Sequence, residues 1–225
     1  MSVVSSMGSA TRTWSVRCAA AAAAALLVGC GSSGGGGGSG SDGEATALDK
    51  AQVAALLPDK AAMPGWKRRE NASTSPMNAL AKRTLCPVKG NAGCENSSYM
   101  GSVSFEREDR DAAVRFWLVA YKDEKAADAA YEVLWKHTAR TNGREKADLG
   151  TLGDERDARS GPEGYGGAHS LTGQLRVGTT VLWAATDAPS EDTFDKDLAK
   201  DLAALFAERS QQAQNGEKPS AKLGS

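Results

Sequence analysis

Apolar residues recur along this chain with two different periods, and the switches between them outline a fold. Leu48, Val53, Leu56 and Leu57 fall at helical spacing, and Pro58 closes that segment. Trp66 begins an extended stretch. From 99 to 107 the chain alternates, with Tyr99, Gly101, Val103 and Phe105 on one face, as a half-buried strand does. The run Ala113 to Tyr121 is apolar on both faces and reads as a second strand. The charged link Glu106 to Asp111 makes the two a hairpin. Residues 123–140 return to the helical period, with Ala127, Ala130, Tyr131 and Leu134 as the stripe to be buried and Asp123 as the cap. Glycines at 143, 150 and 153 break up the next stretch. Residues 168–176 and 179–186 form a second predicted hairpin, turning near Gly178. A final helix is predicted from Ser190, burying Phe194, Leu198, Leu202, Leu205 and Phe206. Helices at both ends with hairpins between them predict an α+β fold, a single-domain antiparallel sheet with helices packed on one face.

Both ends of the chain fall outside this pattern. The first residues hold Arg12 and Arg17 and no acid, and an apolar run follows from Cys18 to Val28. That run is shorter than the roughly 20 apolar residues a bilayer crossing takes, so it reads as a secretory signal. It ends Leu27-Val28-Gly29-Cys30, which resembles the lipobox of bacterial lipoproteins at all four positions. The resemblance implies that residues 1–29 are removed and that Cys30 carries a diacylglyceryl thioether with fatty chains such as palmitate. The protein would then sit on the extracytoplasmic face of the cell membrane. An ordinary signal peptide with an incidental cysteine is the alternative. Each buried methylene contributes about 0.8 kcal/mol, so two long chains hold a domain stably. Residues 30–45 follow as a Gly/Ser tether, a coil spanning roughly 20 Å. The folded domain is expected over 46–211. Residues 212–225 are polar, contain Gly216 and Pro219, and are expected to form a disordered tail.

Composition limits the function classes. The chain has 225 residues, 40% apolar and 24% charged, which is an ordinary globular balance. With 27 basic against 28 acidic residues, it lacks the excess of cations that nucleic-acid binding requires. Loss of residues 1–29 removes two arginines and leaves a charge of −3, so membrane attachment must come from the lipid.

Cys86 and Cys94 are the cysteines left in the domain, separated by a turn-rich segment with Pro87, Gly90, Asn91 and Gly93. In an oxidising compartment a disulfide is expected, and so short a loop contributes about 2.5 kcal/mol in the chain-entropy model. A redox dithiol would ordinarily have two intervening residues. The sequence offers no catalytic set. His137 and His169 lack a placed nucleophile and carboxylate, and Ser170, adjacent to His169, would point to the opposite face of a strand. Acidic clusters at Asp109 and Asp111, at Asp154, Glu155 and Asp157, and at Glu191 and Asp192 lack calcium-loop spacing and read as turns and helix starts. No metal or cofactor is called for. The remaining signal is aromatic. Trp117, Tyr121, Trp135, Tyr165 and Trp183 are candidates to line a ligand cleft, with core packing as the competing explanation.

The order of segments resembles the extracellular sensor domain of actinobacterial receptor serine/threonine kinases of the PknH type, a domain also found in lipoproteins. The matching features span about 46–210. They are Ala54-Ala55-Leu56-Leu57-Pro58, the passage Tyr121 to Leu134, Leu152-Gly153-Asp154-Glu155, the turn Leu175-Arg176-Val177-Gly178-Thr179 and the last helix. The resemblance implies an α+β domain with a cleft and a ligand-binding or sensing role. This chain departs from that family in its single domain cysteine pair and in having no kinase segment. The expected function is therefore a membrane-anchored, non-catalytic domain that binds a small ligand or an envelope protein. A lipid or glycolipid carrier and a cell-envelope hydrolase are the alternatives.

Overall fold

The computed structural model describes residues 45–224, apart from 87, 108, 110, 139–143 and 164–166. The leader 1–29, the lipidation candidate Cys30 and the tether up to residue 44 lie outside the described residues, as does Tyr165. All described residues belong to one compact unit, Gly40–Ser225.

Among the described residues, seven strands make a single antiparallel sheet. In chain order they are β1 (Trp66–Pro76), β2 (Ser97–Arg107), β3 (Ala113–Tyr121), β4 (Glu145–Lys146), β5 (Glu155–Glu163), β6 (Ala168–Val177) and β7 (Thr180–Ala188). Their spatial order is β1-β2-β3-β7-β6-β5-β4. Two meanders thus meet at one seam, where β3 pairs with β7 from Ala113↔Asp187 to Ala120↔Thr180. The helices are α1 (Lys50–Leu56), α2 (Ala79–Leu85), α3 (Glu124–Thr138) and α4 (Lys196–Gln214).

The α+β class and the antiparallel sheet are as the sequence predicts, but the helices do not share one face. The even-numbered residues of the seam, Phe116, Leu118 and Leu182, pack with Val53 and Leu56 of α1 and with Leu202 and Phe206 of α4. The odd-numbered residues Val119, Tyr121, Val181 and Trp183 pack with Ala127, Ala130, Tyr131 and Leu134 of α3. Successive strand side chains point to opposite faces, so these two sets lie on opposite sides of the sheet. The cause is the apolar content of β3 and β7 on both faces, each of which must be covered.

Individual elements follow from local chemistry. Asp49 and Gln52 form a reciprocal capping box at the start of α1. Gly101 lets α1 sit close on β2, since a Cβ there would come within 3.3 Å of Val53 and Leu57. Asp123 accepts from the Ala126 N–H at 2.7 Å and starts α3. Asp154 is a turn residue, as the sequence suggests. Its Oδ2 accepts from the Gly178 N–H at 2.8 Å and from Arg176 at 3.1 Å, which fastens the β6–β7 turn.

Two boundaries differ from expectation. Helix α4 begins at Lys196, capped by Asp195, because Ser190 and Thr193 bond to each other in a turn of their own. Phe194 and Leu198 are in consequence only half-buried. The tail expected to be disordered from 212 onward is docked instead. Helix α4 continues to Gln214, the Gln212 side chain accepts from the Ser220 and Ala221 amides, and Leu223 N–H donates to Ala62 O at 2.9 Å. Buried Arg209 is the physical reason. Its guanidinium donates to the carbonyls of Ala55, Leu56 and Leu57 at the end of α1, and to Ala221 at 3.1 Å. A buried cation of this kind needs acceptors on every side, and the tail supplies one.

Candidate functional site

Helix α3 covers only part of its face of the sheet. Its last residue, Thr138, borders a cavity of about 730 Å³ over the uncovered part. The cavity floor is a cross-strand field of alternate residues. Ser104 pairs with Arg115, Arg115 with Ala185, and Ala185 with Thr172. In the next rank Ala113 pairs with Asp187 and Asp187 with Ser170. Each pair faces the same side because the sheet period is two.

Charge around the cavity is balanced. Arg115 meets Glu70 at 3.4 Å, and Ser104 Oγ donates to the same carboxylate at 3.2 Å. On the far wall Arg144 meets Glu163 at 3.5 Å and donates to Thr172 Oγ1 at 3.2 Å. The Arg144 side chain is only 10% exposed. Asp187 is exposed to the cavity, yet partial desolvation by the walls and the charge of Glu163 hold its carboxyl above the usual carboxylate range, against the pull of Arg69.

Among the described residues, three buried polar atoms of the lining residues have no protein partner, Arg144 Nε, Ser170 Oγ and Thr186 Oγ1. Ser170 is 2% exposed. Buried polar atoms are almost always satisfied in native proteins, so three orphans among the residues lining one cavity point to a ligand or ordered solvent in it.

Two further cavities are less suggestive. One of about 730 Å³ is bordered by Tyr131, Asp154, Glu155 and Asp157. Several of its polar groups are committed. The Tyr131 hydroxyl contacts Asp157 Oδ2 at 3.1 Å and Gln174 O at 3.2 Å, and Arg176 is engaged by Asp154 and Glu155. Burial, with the Asp157 charge, raises the Tyr131 phenol well above its ordinary value. The other, of about 560 Å³, holds Ser160 and His169 beside Lys196 and Lys200. His169 Nε2 and Ser160 Oγ are 3.0 Å apart, and the imidazole packs on Phe194 at 4.8 Å. Charged residues border each of these three cavities.

The five aromatic candidates separate. Trp117 lines the balanced cavity and stacks on Trp183 with centroids 5.6 Å apart and planes within 5°. Trp183 itself is 1% exposed, and its indole N–H donates to the Gln174 carboxamide at 2.8 Å. Tyr121 is equally buried, and its hydroxyl donates to Gly93 O at 2.7 Å. Trp183 and Tyr121 therefore belong to the packing under α3, and Trp183 supports Trp117 through their stack. Trp135 is half-buried on α3, and Tyr165 lies outside the described residues. Cys86 and Cys94 form the expected disulfide, which fixes the segment that receives the Tyr121 hydroxyl. Arg144, Ser170 and Asp187 are the members sequence reasoning missed. Nothing in their spacing announces them, because they come from separate strands and loops. His137 is exposed at the end of α3, and Ser170 faces away from His169 as strand alternation requires.

A seven-stranded antiparallel sheet with helices on both faces and a polar cavity beyond the end of α3 defines an α+β domain with a site built on the sheet. This fold is shared with the extracellular domain of PknH from Mycobacterium tuberculosis. The two are 12% identical with a TM-score of 0.51, over 76% of this chain and 99% of that one. No family model and no curated protein matches the sequence.

Proposed function

We propose that this protein is a lipid-anchored extracytoplasmic binding protein whose sheet cavity receives a small ligand, in the manner of a sensor domain. The observation that carries the reading is the set of buried atoms left unpartnered among the described residues, Arg144 Nε, Ser170 Oγ and Thr186 Oγ1, on residues lining one cavity. The lipobox at Leu27 to Cys30, the disulfide and the fold it has in common with an extracellular domain support the placement outside the cell. Anchoring through Cys30 makes the membrane its first partner and leaves the cavity free for a soluble ligand or a segment of an envelope protein. The reading involves no catalysis and no nucleic acid.

Two measurements test it. Growth of a bacterial host expressing the full chain with a labelled fatty acid should label the protein, and Cys30→Ala should abolish the label and release the protein from the membrane fraction. Unlabelled, soluble wild-type protein would overturn the anchoring. Titration of the full chain with small neutral and anionic ligands, followed by tryptophan fluorescence, should show saturable binding, and a folded chain that responds to none would overturn the binding.

A second reading, an envelope hydrolase, rests on the Ser160–His169 contact, a nucleophile beside a base. Among the described residues the imidazole's hydrogen bond is to this hydroxyl and not to a carboxylate. Hydrolysis of a p-nitrophenyl ester that is lost in Ser160→Ala would favour it over the binding reading.

A further inference from the structure

We infer that the ligand of the sheet cavity is a neutral saccharide, taken up with a sugar ring against Trp117 and its hydroxyls on Asp187, Ser170 and Arg144. The inference rests on the binding reading above and names the chemistry of its ligand.

Charge is the first argument. Three arginines border the cavity, Arg69, Arg115 and Arg144, and three acids face them, Glu70, Glu163 and Asp187. The arginines are already engaged. Arg115 pairs with Glu70, Arg144 with Glu163, and Arg69 with Glu106 at 3.9 Å. An anionic ligand would have to break one of these pairs and would also meet the Asp187 carboxylate. A cationic ligand would meet three guanidinium groups. A neutral ligand disturbs none of this.

The second argument is the hydrogen-bonding inventory. Arg144 Nε can only donate, ionised Asp187 can only accept, and Ser170 Oγ can do both. A ligand that satisfies all three must carry donors and acceptors close together. Neighbouring hydroxyl groups on a sugar ring do so, each group donating once and accepting on its lone pairs.

The third argument is the aromatic wall. Trp117 is held flat by its stack on Trp183, and Trp183 is pinned by Gln174. A rigid indole offers an apolar surface at little cost in side-chain entropy. It matches the C–H face of a pyranose, while the hydroxyl edge of the same ring points to the polar groups. At about 730 Å³ the cavity has room for a small oligosaccharide.

The test is a titration of the full chain with cellobiose, chitobiose and maltose, and in parallel with inorganic phosphate and acetate. Tryptophan fluorescence and calorimetry are the readouts. We expect saturable binding of at least one disaccharide in the millimolar range or tighter. Binding should weaken about tenfold or more in Trp117→Ala and to a similar degree in Asp187→Asn, which keeps the shape of the site if the tryptophan variant folds poorly. Lys136→Gln, on the exposed side of α3, should bind as the wild type does. Saturation by phosphate or acetate with no response to any of the sugars would overturn the saccharide assignment and leave the binding site standing. Sugar binding unchanged in both cavity variants would overturn the location. A folded chain silent to every probe would overturn both the assignment and the binding reading.

Discussion

Arg209 Nε donates to the Leu56 carbonyl at 2.9 Å across 153 residues of chain, closing the last turn of α1 with a side chain from α4. The same guanidinium reaches Ala55, Leu57 and Ala221. Burial draws its pKa down, with Asp59 opposing, yet it remains the cation that satisfies several carbonyls at once. Arg209→Met keeps the bulk and removes every donor. The variant should lose about 3 kcal/mol, since a buried acceptor left unmade costs about 1–3 kcal/mol. Urea denaturation followed by circular dichroism measures this. A loss under about 1 kcal/mol would show that water replaces the guanidinium.

The docked tail gives a related expectation. A chain ending at Gln211 removes the last turn of α4 and the Ala221 and Leu223 contacts. It should melt several degrees below the full chain, at about 2–4 °C per kcal/mol for a domain of this size. Equal melting temperatures would mean that the tail contributes nothing.

Gln174 is fully buried, takes the Trp183 indole N–H, and donates to the Tyr131 carbonyl at 2.7 Å. Gln174→Leu should cost about 2 kcal/mol by orphaning that N–H. It should also loosen the stack beneath Trp117, visible as a weaker near-ultraviolet tryptophan signal. An unchanged signal would dissociate Gln174 from the geometry of the indole pair.

Gly153 has φ +61°, and a Cβ on it would collide with the Arg176 carbonyl oxygen. Gly153→Ala should therefore destabilise by more than about 1 kcal/mol. Because Asp154 fastens the β6–β7 turn, amide exchange at Gly178 should quicken in the variant. Wild-type exchange there would separate the two turns.

Asp187 predicts a pH effect. Its folded pKa is raised above 3.8, so between those two values the folded chain holds more proton than the unfolded chain. Stability then falls as pH rises through that window. Asp187→Asn removes this contribution and should flatten the profile there relative to the wild type. Superimposable profiles would mean that the carboxyl is not perturbed.

Most of the fold was legible because its central elements carry strong periods. Val103 and Phe105 alternate in β2, β3 is apolar on both faces, and Ala127 to Leu134 make a helical stripe, so their bounds could be read closely. Strand β5 was not visible. Its sequence Glu155 to Glu163 has Ala158 and Gly161 as its buried residues and includes Pro162, and it is held by pairing with β6 rather than by apolar content. Strand β1 is exposed along nearly all its length after Trp66, which is why only its start was evident. The tail misled for the same reason. Its polar residues look unstructured until Arg209 presents them with a donor. For the site, counting aromatics located Trp117 but could not separate it from Trp183 and Tyr121. Burial differs among the three only after α3 is placed. The polar members depend wholly on strand order.

That order also governs when the cavity can exist. Glu70, Ser104, Arg115 and Trp117 come from the first meander, and Arg144, Ser170, Thr172 and Asp187 from the second. They meet only across the β3–β7 seam, whose partners lie 60 to 74 residues apart in the chain. Distant pairings of this sort form late in folding, after loop entropy has been overcome. Neither meander expressed alone would possess the recess, and a nascent chain lacks it until its second half has emerged.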